Sequence, residues 1–404
     1  MTPLLVRAGR IVTCDTQAPQ NGVTFDDLGT ISDGGIACED EQVAWCGPMT
    51  DLPKRFNSFE VVEFGDCIVV PGLVDAHAHP LFAGSREADF AARIRAEPLP
   101  LGMLYTVERT REALEHQESF WKFIRKRLEA MLRHGTTTLE TKTGYALHAP
   151  GEMELLSLIA HHKDDPEIPS LVATFLGAHA VPPEFRNEVD YVDYLIDQCL
   201  PVAKAHGAIY ADAFCEPGYF SPQQAARYLE AARAHGLRLR CHCDEMAYAG
   251  AAAMATALKA DSVDHCNWIA DADVGAIAGS GAVMVACPAT IDYLGLGRHA
   301  PVRALLQAGG TVALGSDFNP GTSPCFNLQT IVYFGRKIFG LSAAETLYGV
   351  TLAAAKSLRV AAGRIAAGAR ADFVALRLEH PDEFGWQFGG NLAAAVIHRG
   401  TIVA

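Results

Sequence analysis

The chain has 404 residues, of which 50 % are hydrophobic and 20 % charged, so it is long enough for one large domain and a smaller one. Its formal net charge of −14 and pI near 5.5 exclude nucleic acid or an anionic membrane surface as the main partner. The eleven cysteines show no metal-finger spacing, no apolar run has membrane-spanning length, and the first residues do not form a signal peptide. We therefore expect a soluble cytoplasmic protein with reduced thiols.

Short alternating segments at both ends of the chain predict β-strands joined by tight turns. They are Leu4–Cys14, Gly35–Cys46 and Glu60–Phe64 in the first part, and Asp372–Leu378 and Ala393–Ala404 in the last part. Neither group is long enough to bury a sheet alone. We expect residues 1–65 and 363–404 to pack together as one small β-sandwich domain.

Between these ends, residues 66–362 alternate apolar, strand-like runs with amphipathic helical stretches. The eight runs are Ile68–His77, Thr136–Thr143, Leu171–His179, Ala208–Glu216, Leu237–Asp244, Ser262–Cys266, Ala282–Pro288 and Thr311–Asp317. Eight strand–helix units favour a parallel (β/α)₈ TIM-like barrel over an open doubly wound sheet, which usually has five or six strands.

Helix boundaries in this middle part are marked by typical capping residues. Glycines after the last helical turn predict left-handed caps, as in Arg133-His-Gly135, Ala205-His-Gly207, Ala234-His-Gly236, Gly279-Ser-Gly281 and Ala308-Gly-Gly310. Helix starts are indicated by Ser221-Pro222 and by the capping box from Ser342 to Glu345.

Chemically active residues stand at the ends of the barrel strands, where enzymes of this fold carry their sites. They are His77 and His79, Lys142 and Tyr145, His179, Glu216, His242 and Glu245, His265, and Asp317 and Asn319. A random scatter of the 15 histidines would not put five of them there. These strand ends are therefore predicted to converge on one mouth.

The spacing of two histidines indicates a metal site. In a strand from Ile68 to His79, His77 and His79 would point to the same face. With His242 and Asp317 they supply the ligands that a hydrolytic metal site needs around an open position. The plainer interpretations are a chance histidine pair, a core histidine between two cysteines, and a turn-forming aspartate. Strand alternation turns both cysteines away from the side that His242 faces, which favours the metal interpretation.

Several segments together resemble the metal-dependent amidohydrolase superfamily and, within it, the imidazolonepropionase family. They are Pro71–His79, Phe82–Arg86, Glu140–Leu147, Phe175–His179, Val181–Pro183, Asp212–Glu216, His242–Glu245, Asp264-His265 and Asp317–Ser323. The resemblance covers nearly the whole chain. It implies hydrolysis of a cyclic amide C–N bond, the opening of imidazolone-5-propanoate to N-formimino-L-glutamate in histidine degradation, and a homodimer.

The same resemblance implies one divalent metal ion, Zn²⁺ with Fe²⁺ or Fe³⁺ as the alternative, bound by His77, His79, His242 and Asp317. The catalytic residues would be His265, which activates water or stabilises an oxyanion, Glu245, which binds the water or a ring N–H, and Asp317, which moves a proton to the leaving nitrogen.

The substrate-binding residues that the resemblance implies are Arg86, Tyr145, His179, Asn319, Gly321 and Thr322. The fork of the Arg86 guanidinium suits the carboxylate of a propanoate tail, and the Tyr145 hydroxyl would add a donor. The plainer interpretations are a solvated arginine for Arg86 and core histidines for His179 and His265.

Two segments depart from the pattern of that family. In residues 96–107, Leu99 stands where the family has a tyrosine and a run of glycines is missing, so Tyr105 is the nearest replacement. Asp292 lies in a stretch that is aromatic in the family, and its carboxylate would repel an anionic tail unless it faces solvent. Two alternatives therefore stay open: a related amidohydrolase or aminohydrolase that acts on another small N-heterocycle, and an inactive binding protein on the same scaffold.

Overall fold

The computed structural model describes residues 3–404, so the first two residues of the predicted segment 1–65 lie outside the described residues. Sixteen strands run through this part of the chain. In order they are β1 Leu4–Val12, β2 Thr30–Glu39, β3 Gln42–Pro48, β4 Glu60–Pro71, β5 Leu73–Asp75, β6 Thr136–Lys142, β7 Ser170–Ala178, β8 Tyr210–Cys215, β9 Arg238–Leu239, β10 His242–Cys243, β11 Ser262–His265, β12 Val283–Ala286, β13 Thr311–Leu314, β14 Phe373–Leu376, β15 Ala393–His398 and β16 Thr401–Ile402.

Fourteen α-helices are found in residues 3–404, most of them between the barrel strands. They are α1 Glu87–Ile94, α2 Gly102–Leu114, α3 Gln117–Arg133, α4 Ala149–His162, α5 Glu188–Tyr194, α6 Leu200–Ala203, α7 Pro222–Ala234, α8 Ala251–Ala257, α9 Val274–Ser280, α10 Pro288–Leu294, α11 Val302–Gln307, α12 Leu328–Phe339, α13 Ala343–Gly349 and α14 Leu352–Leu358. Short 3₁₀ turns lie at Met49–Asp51, Lys54–Phe56, Asp271–Asp273 and Pro381–Glu383, and a π-helical turn at Leu195–Cys199. None of the helices in this described part has both the length and the apolar character needed to cross a bilayer.

Strands from both ends of the chain form one mixed sheet of seven strands, in the order β16-β15-β14-β4-β1-β2-β3. β4 is central, because it pairs in parallel with β1 and antiparallel with β14, where Val70 faces Val374. Side chains such as Val6, Ile36 and Phe373 are buried in the core of this sheet. The small β-domain expected from both termini is confirmed, but its strands form one hydrogen-bonded sheet and not the two sheets of the predicted sandwich. Its boundaries at residues 65 and 362 stay a prediction.

The middle of the chain forms a nearly closed parallel barrel in the order β5-β6-β7-β8-β10-β11-β12-β13, with β9 beside β8. The predicted TIM-like barrel is therefore confirmed. Between β5 and β13 the closure is made by backbone hydrogen bonds just beyond both strands. The N–H of His79 donates to the carbonyl of Phe318 at 3.0 Å, and that of Asp317 to the carbonyl of His77 at 2.8 Å.

The predicted strand that ends at His79 is wrong in extent. It is two strands, β4 in the terminal sheet and β5 in the barrel, and the histidine pair lies beyond both. The break is at Gly72, whose N–H donates to the carbonyl of Asp372 at 2.9 Å, while the N–H of Leu73 donates to the carbonyl of Gly135 at 2.9 Å. Consecutive backbone groups thus bond to different units of the fold.

Three other predicted strands are each split in two. The segment Gly35–Cys46 contains β2 and β3, joined by a turn in which Asp40 and Glu41 have φ angles of 51° and 64°. Leu237–Asp244 is divided between β9 and β10, and Ala393–Ala404 between β15 and β16.

The predicted helix caps are largely confirmed. The predicted capping box at Ser342 is formed, and the predicted helix start at Ser221 is also a capping box, with Gln224. Glycines with positive φ end the helices where expected, at Gly135, Gly207, Gly236 and Gly281, and in the Gly309-Gly310 pair the first glycine takes this conformation.

The junction between the two units leaves no space for a side chain at Gly72. A Cβ atom there would lie 2.7 Å from Cγ2 and 2.9 Å from Cβ of Thr137, a buried and β-branched residue. We expect Gly72→Ala to lower the free energy of unfolding by about 1–3 kcal/mol, measured by urea denaturation. Gly65→Ala, in the same strand, is the control, since nothing lies within 4 Å of its added Cβ. Equal stability of the two variants would contradict the conclusion that Gly72 has no space for a side chain.

Candidate metal centre and substrate cavity

Three imidazoles and one carboxylate meet at the mouth of the barrel, just beyond the ends of β5 and β13 and at the start of β10. The Nε2 atom of His79 lies 3.2 Å from Nε2 of His77 and 3.4 Å from Nε2 of His242. Asp317 places Oδ1 3.2 Å from Nε2 of His79 and 3.5 Å from Nε2 of His77. All four side chains are buried. The four residues predicted as metal ligands are therefore brought together around one point.

The contacts around this cluster determine which ring nitrogens face its centre. The Nδ1–H of His77 donates to Oδ2 of Asp264 at 2.7 Å, and Nδ1 of His242 lies 3.0 Å from Oδ2 of Asp212. Such carboxylate contacts hold the proton on Nδ1 and leave the lone pair on Nε2. Lone pairs and a carboxylate oxygen this close repel one another unless a proton or a metal cation lies among them. The donor set therefore fits a divalent metal ion.

A buried ionic layer lies next to the histidines. Lys142 Nζ is 2.6 Å from Oδ2 of Asp212, 2.8 Å from Oε1 of Glu140 and 3.6 Å from Oδ2 of Asp264, and Arg240 Nη2 donates to Asp264 at 3.2 Å. All five side chains are fully buried. Burial alone would raise the pKa of Asp264, but the Arg240 guanidinium holds it well below its usual range. The two carboxylates that contact the histidine rings are thus kept ionised by neighbouring cations.

The backbone at the strand ends adopts an unusual conformation. Asp244, His265, Cys266 and Asp317 have φ angles of 48°, 67°, 57° and 49°, in the left-handed region that glycine usually occupies. Each such residue costs about 1 kcal/mol or more unless the surrounding structure compensates. Four of them around the mouth of one barrel are typical of a functional site, where the fold holds side chains in place against local preference.

His265 and Glu245 lie beside the cluster. The ring centroid of His265 is 5.0 Å from that of His77, and its Nδ1 is 3.8 Å from Oε1 of Glu245. Neither ring nitrogen forms a hydrogen bond within residues 3–404, although the ring is buried. Burial lowers the pKa of His265 to about 4, and it raises the pKa of Glu245. A neutral imidazole and a carboxyl of raised pKa can accept and donate protons during a reaction.

Three overlapping groups in the described chain have metal-ligand atoms within 4.8 Å of one another: His77, His79 and His242; Glu245, His265 and Asp317; and His77, His265 and Cys287. Cys287 was not singled out from the sequence, because it follows the apolar run of β12. In the first group, two of the three imidazoles meet carboxylates through Nδ1. That arrangement is typical of metal-binding histidines and favours the first group.

A cavity of about 250 Å³ opens onto the cluster. Five of the six residues predicted to bind substrate line it: Arg86, Tyr145, His179, Asn319 and Thr322. The sixth, Gly321, adjoins the cavity, since a side chain at this position would collide with the Arg86 guanidinium. The structure therefore brings the predicted substrate residues and the predicted ligands to one place.

Two of these cavity residues are held by the backbone around them. Nδ1 of His179 donates to the carbonyl of Gly144 at 2.9 Å, and burial lowers the pKa of His179 to about 3, so the ring is neutral. Oδ1 of Asn319 accepts from the N–H groups of Gly321 and Thr322, both at 2.8 Å. The side-chain oxygen of Asn319 thus organises the loop that follows β13.

The residues that depart from the family pattern have different surroundings. Leu99 lines the cavity and is 44 % exposed. Tyr105, the expected replacement for the missing tyrosine, does not line this cavity and packs beside Gly84 instead. The Asp292 side chain is 49 % exposed, lies 3.8 Å from Nζ of Lys337, and is also not part of the cavity wall. Asp292 therefore faces solvent.

Sequence reasoning missed several residues of the cavity wall, and two of them carry polar groups, Arg93 and Tyr219. The signal for Arg93 was its spacing, because it follows Arg86 by two helical turns and so shares its face of α1. Tyr219 lies on the loop after β8 and carries no such signal. Glu216, named as a strand-end candidate, instead accepts the backbone N–H of Glu245 and does not line the cavity.

Comparisons with known proteins show the family of the chain. The family model described as "Amidohydrolase family" matches residues 92–404. The imidazolonepropionase of Erwinia tasmaniensis is 37 % identical over 397 residues, which is 96 % of each chain. That of Parabacteroides distasonis is 33 % identical over 411 residues and covers 99 % of this chain and 98 % of its own. The chain belongs to the imidazolonepropionase family of amidohydrolases.

Solved structures share the fold of this imidazolonepropionase-family chain. E. coli guanine deaminase has a TM-score of 0.74 at 19 % identity and covers 100 % of this chain and 99 % of its own. An adenosine deaminase from Xanthomonas campestris with bound zinc has a TM-score of 0.70 at 18 % identity, over 99 % of this chain and 92 % of its own. At such identities, the similarity to these structures shows the fold alone. That the chain is a hydrolase follows from its membership of the family.

Proposed function

We propose that the chain hydrolyses the cyclic amide C–N bond of imidazolone-5-propanoate to give N-formimino-L-glutamate, a step of histidine degradation. The observation that carries this proposal is the similarity of nearly the entire chain to imidazolonepropionases. The cavity supports it, because an arginine suited to a carboxylate tail and a cluster suited to a metal ion line the same space.

We propose that His77, His79, His242 and Asp317 hold one metal ion, Zn²⁺ with Fe²⁺ or Fe³⁺ as the alternative. Three imidazole nitrogens and one carboxylate oxygen suit either metal. The bound ion would supply Lewis acidity, which strengthens water as a nucleophile near neutral pH and polarises a carbonyl group.

The proposed reaction needs one proton acceptor and one proton donor. Water adds its oxygen to the ring carbonyl carbon, and the bond from that carbon to the ring nitrogen breaks. Asp317 takes the proton of the water and delivers it to the leaving nitrogen. His265 is neutral and can donate a hydrogen bond to the oxygen that gains negative charge, while Glu245 binds the attacking water or a ring N–H.

The remaining cavity residues would bind and orient the ring and its tail. Arg86 would pair with the propanoate carboxylate, and the Tyr145 hydroxyl would donate to the substrate. His179 would contact the ring through Nε2, because its Nδ1 is engaged with the Gly144 carbonyl. We assign Asn319, Gly321 and Thr322 to the part of the cavity wall that holds the substrate against the metal ligands.

We also propose that the enzyme is a homodimer in the cytoplasm that takes a small-molecule substrate. The thiols support this location, since all eleven cysteines are free and eight of them are buried, as suits a reducing compartment. Size-exclusion chromatography coupled to light scattering tests the dimer: a single monomeric mass at assay concentration would contradict it.

The test of the proposed function is turnover of imidazolone-5-propanoate by purified protein of measured metal content, followed by loss of the ultraviolet absorbance of the ring. We expect turnover at about one metal ion per chain, loss of activity after chelation, and recovery when the metal is restored. No turnover by fully metallated protein would contradict the proposal. Release of ammonia from another N-heterocycle would instead support the aminohydrolase alternative.

A further inference from the structure

Helix α1 carries two arginines along the wall of the substrate cavity. Arg86 is the residue just before this helix and Arg93 lies on its last turn, seven residues later. Residues at that spacing share one face of a helix. Both side chains line the cavity that opens onto the candidate metal centre.

The charge of Arg86 is already neutralised within the protein. Its Nε and Nη2 atoms both lie 2.7 Å from Oδ2 of Asp89, a buried carboxylate. Asp89 also accepts from the N–H groups of Leu101 and Gly102 at 2.9 Å and 3.1 Å. Arg86 and Asp89 therefore form a fixed, electrically balanced pair, and a substrate carboxylate at Arg86 would also feel the repulsion of Asp89.

Arg93, in contrast, has no anionic partner among residues 3–404. Its Nη1 donates to the carbonyl of Gly321 at 3.3 Å, and its guanidinium carbon is 5.5 Å from the centre of the Tyr293 ring. The carboxylate of the neighbouring Asp292 is directed to Lys337 instead. Arg93 thus contributes an uncompensated positive charge to the cavity wall.

Both arginines meet at the same residue. The Arg86 guanidinium packs on the Cα of Gly321, while Arg93 donates to the carbonyl of that residue. A carboxylate between the two guanidinium groups can accept hydrogen bonds from both, and the uncompensated charge of Arg93 attracts it. Leu99, in the same wall, offers no hydrogen-bond donor to such an anion.

We propose that Arg93 is a specificity-determining residue that binds the carboxylate of the substrate tail together with Arg86. This inference rests on the proposed function and extends it. Arg86 holds the carboxylate in a fixed orientation, and Arg93 provides the net positive charge that the Arg86–Asp89 pair lacks. The enzyme is therefore selective for substrates with an anionic tail.

The test compares Arg93→Met and Arg93→Lys with the native enzyme, all of measured metal content. Each is assayed with imidazolone-5-propanoate and with its methyl ester, whose tail is neutral. For Arg93→Met we expect KM for the acid to rise about 10- to 100-fold while kcat changes less than about threefold, as for loss of a charge-assisted hydrogen bond. Arg93→Lys is intermediate, since it keeps the charge without the fork. KM for the ester should be unaffected in both variants.

Arg95→Met is the matched control, because Arg95 follows on the same segment but is 57 % exposed and pairs with Glu97 at 2.8 Å. It should leave both substrates unaffected. An unchanged KM for the acid in Arg93→Met would overturn the inference, as would an equal rise for acid and ester, which indicates a deformed cavity. Native, metallated enzyme that does not open the acid would overturn the proposed function and this inference with it. Turnover by the native enzyme with no effect of Arg93→Met would overturn the inference alone.

Discussion

Asp317→Asn is expected to lower kcat for ring opening by about 10³-fold or more, the range of a lost general acid–base group. Asparagine keeps the shape of the side chain and can still accept the hydrogen bond that Thr290 donates to Oδ2 at 2.7 Å. It cannot take up a proton, and it removes the negative charge beside His77 and His79. The measurement is kcat together with metal content, with and without added metal. Activity that stays low at full metal occupancy would show that the variant has lost proton transfer and not merely its metal ion.

Asp292→Asn is the matched control for this change. It replaces another aspartate of the same barrel end, but one whose side chain is 49 % exposed and outside the cavity. We expect its kcat and metal content to stay within about twofold of the native enzyme, as for most surface substitutions. If Asp317→Asn retained more than a tenth of the native kcat, the assignment of Asp317 as the proton carrier would be wrong.

Lys142→Met is expected to lower the free energy of unfolding by about 3–5 kcal/mol, the usual effect of breaking a buried ion pair. The change leaves Glu140 and Asp212, which lie 2.8 Å and 2.6 Å from Nζ, buried without their closest cation, and Arg240 lies 3.5 Å from Glu140. Asp212 would no longer be held in place against His242, so we also expect metal affinity to fall about 10- to 100-fold. Urea denaturation and competition with a chelator measure the two effects.

Lys122→Met removes the same side chain from an exposed pair and serves as the control. Lys122 contacts Glu118 one turn away on α3 at 2.7 Å, in solvent. Such a solvent-exposed pair contributes little to stability, and metal affinity should not change. A Lys142→Met protein within about 1 kcal/mol of the native stability would show that the ionic layer is not needed for the fold.

The barrel and its active end could be predicted from the sequence because both depend on a local pattern. An apolar run that ends in a ligand-forming residue, as Val312–Leu314 does before Asp317, indicates a buried strand and the direction of its end. The same pattern recurs before His179 and His265. The convergence of these residues then follows from the parallel arrangement alone.

The extents of the strands could not be predicted in this way. Periodicity does not tell whether neighbouring N–H groups bond to one sheet or to two, and at Gly72 they change sheets. It also did not reveal the turn at Asp40 and Glu41 inside one alternating segment. The pattern therefore predicts a strand at His77 and His79, although both lie in the irregular segment that follows β5.

The buried ionic layer was missed for a different reason. Glu140, Asp212, Arg240 and Asp264 lie in separate predicted strands, and each alone contradicts the pattern of a buried strand. Their charges are partly compensated, with the help of Lys142, only when four strands come together, and a single sequence does not contain that pairing. The role of Arg93 was missed for a similar reason. It depends on the ion pair between Arg86 and Asp89, and the sequence does not show that pairing.

The pairing of β4 with β14 bears on how the protein is made. The two strands are about 300 residues apart in the chain, so this contact is among the most non-local in the fold. During synthesis on the ribosome, β4 emerges early and cannot pair with β14 until the barrel has been synthesised. Until then its apolar edge can pair with the same strand of another nascent chain. Chains interrupted before β14 are therefore expected to aggregate, and the yield of soluble enzyme should depend on this last segment.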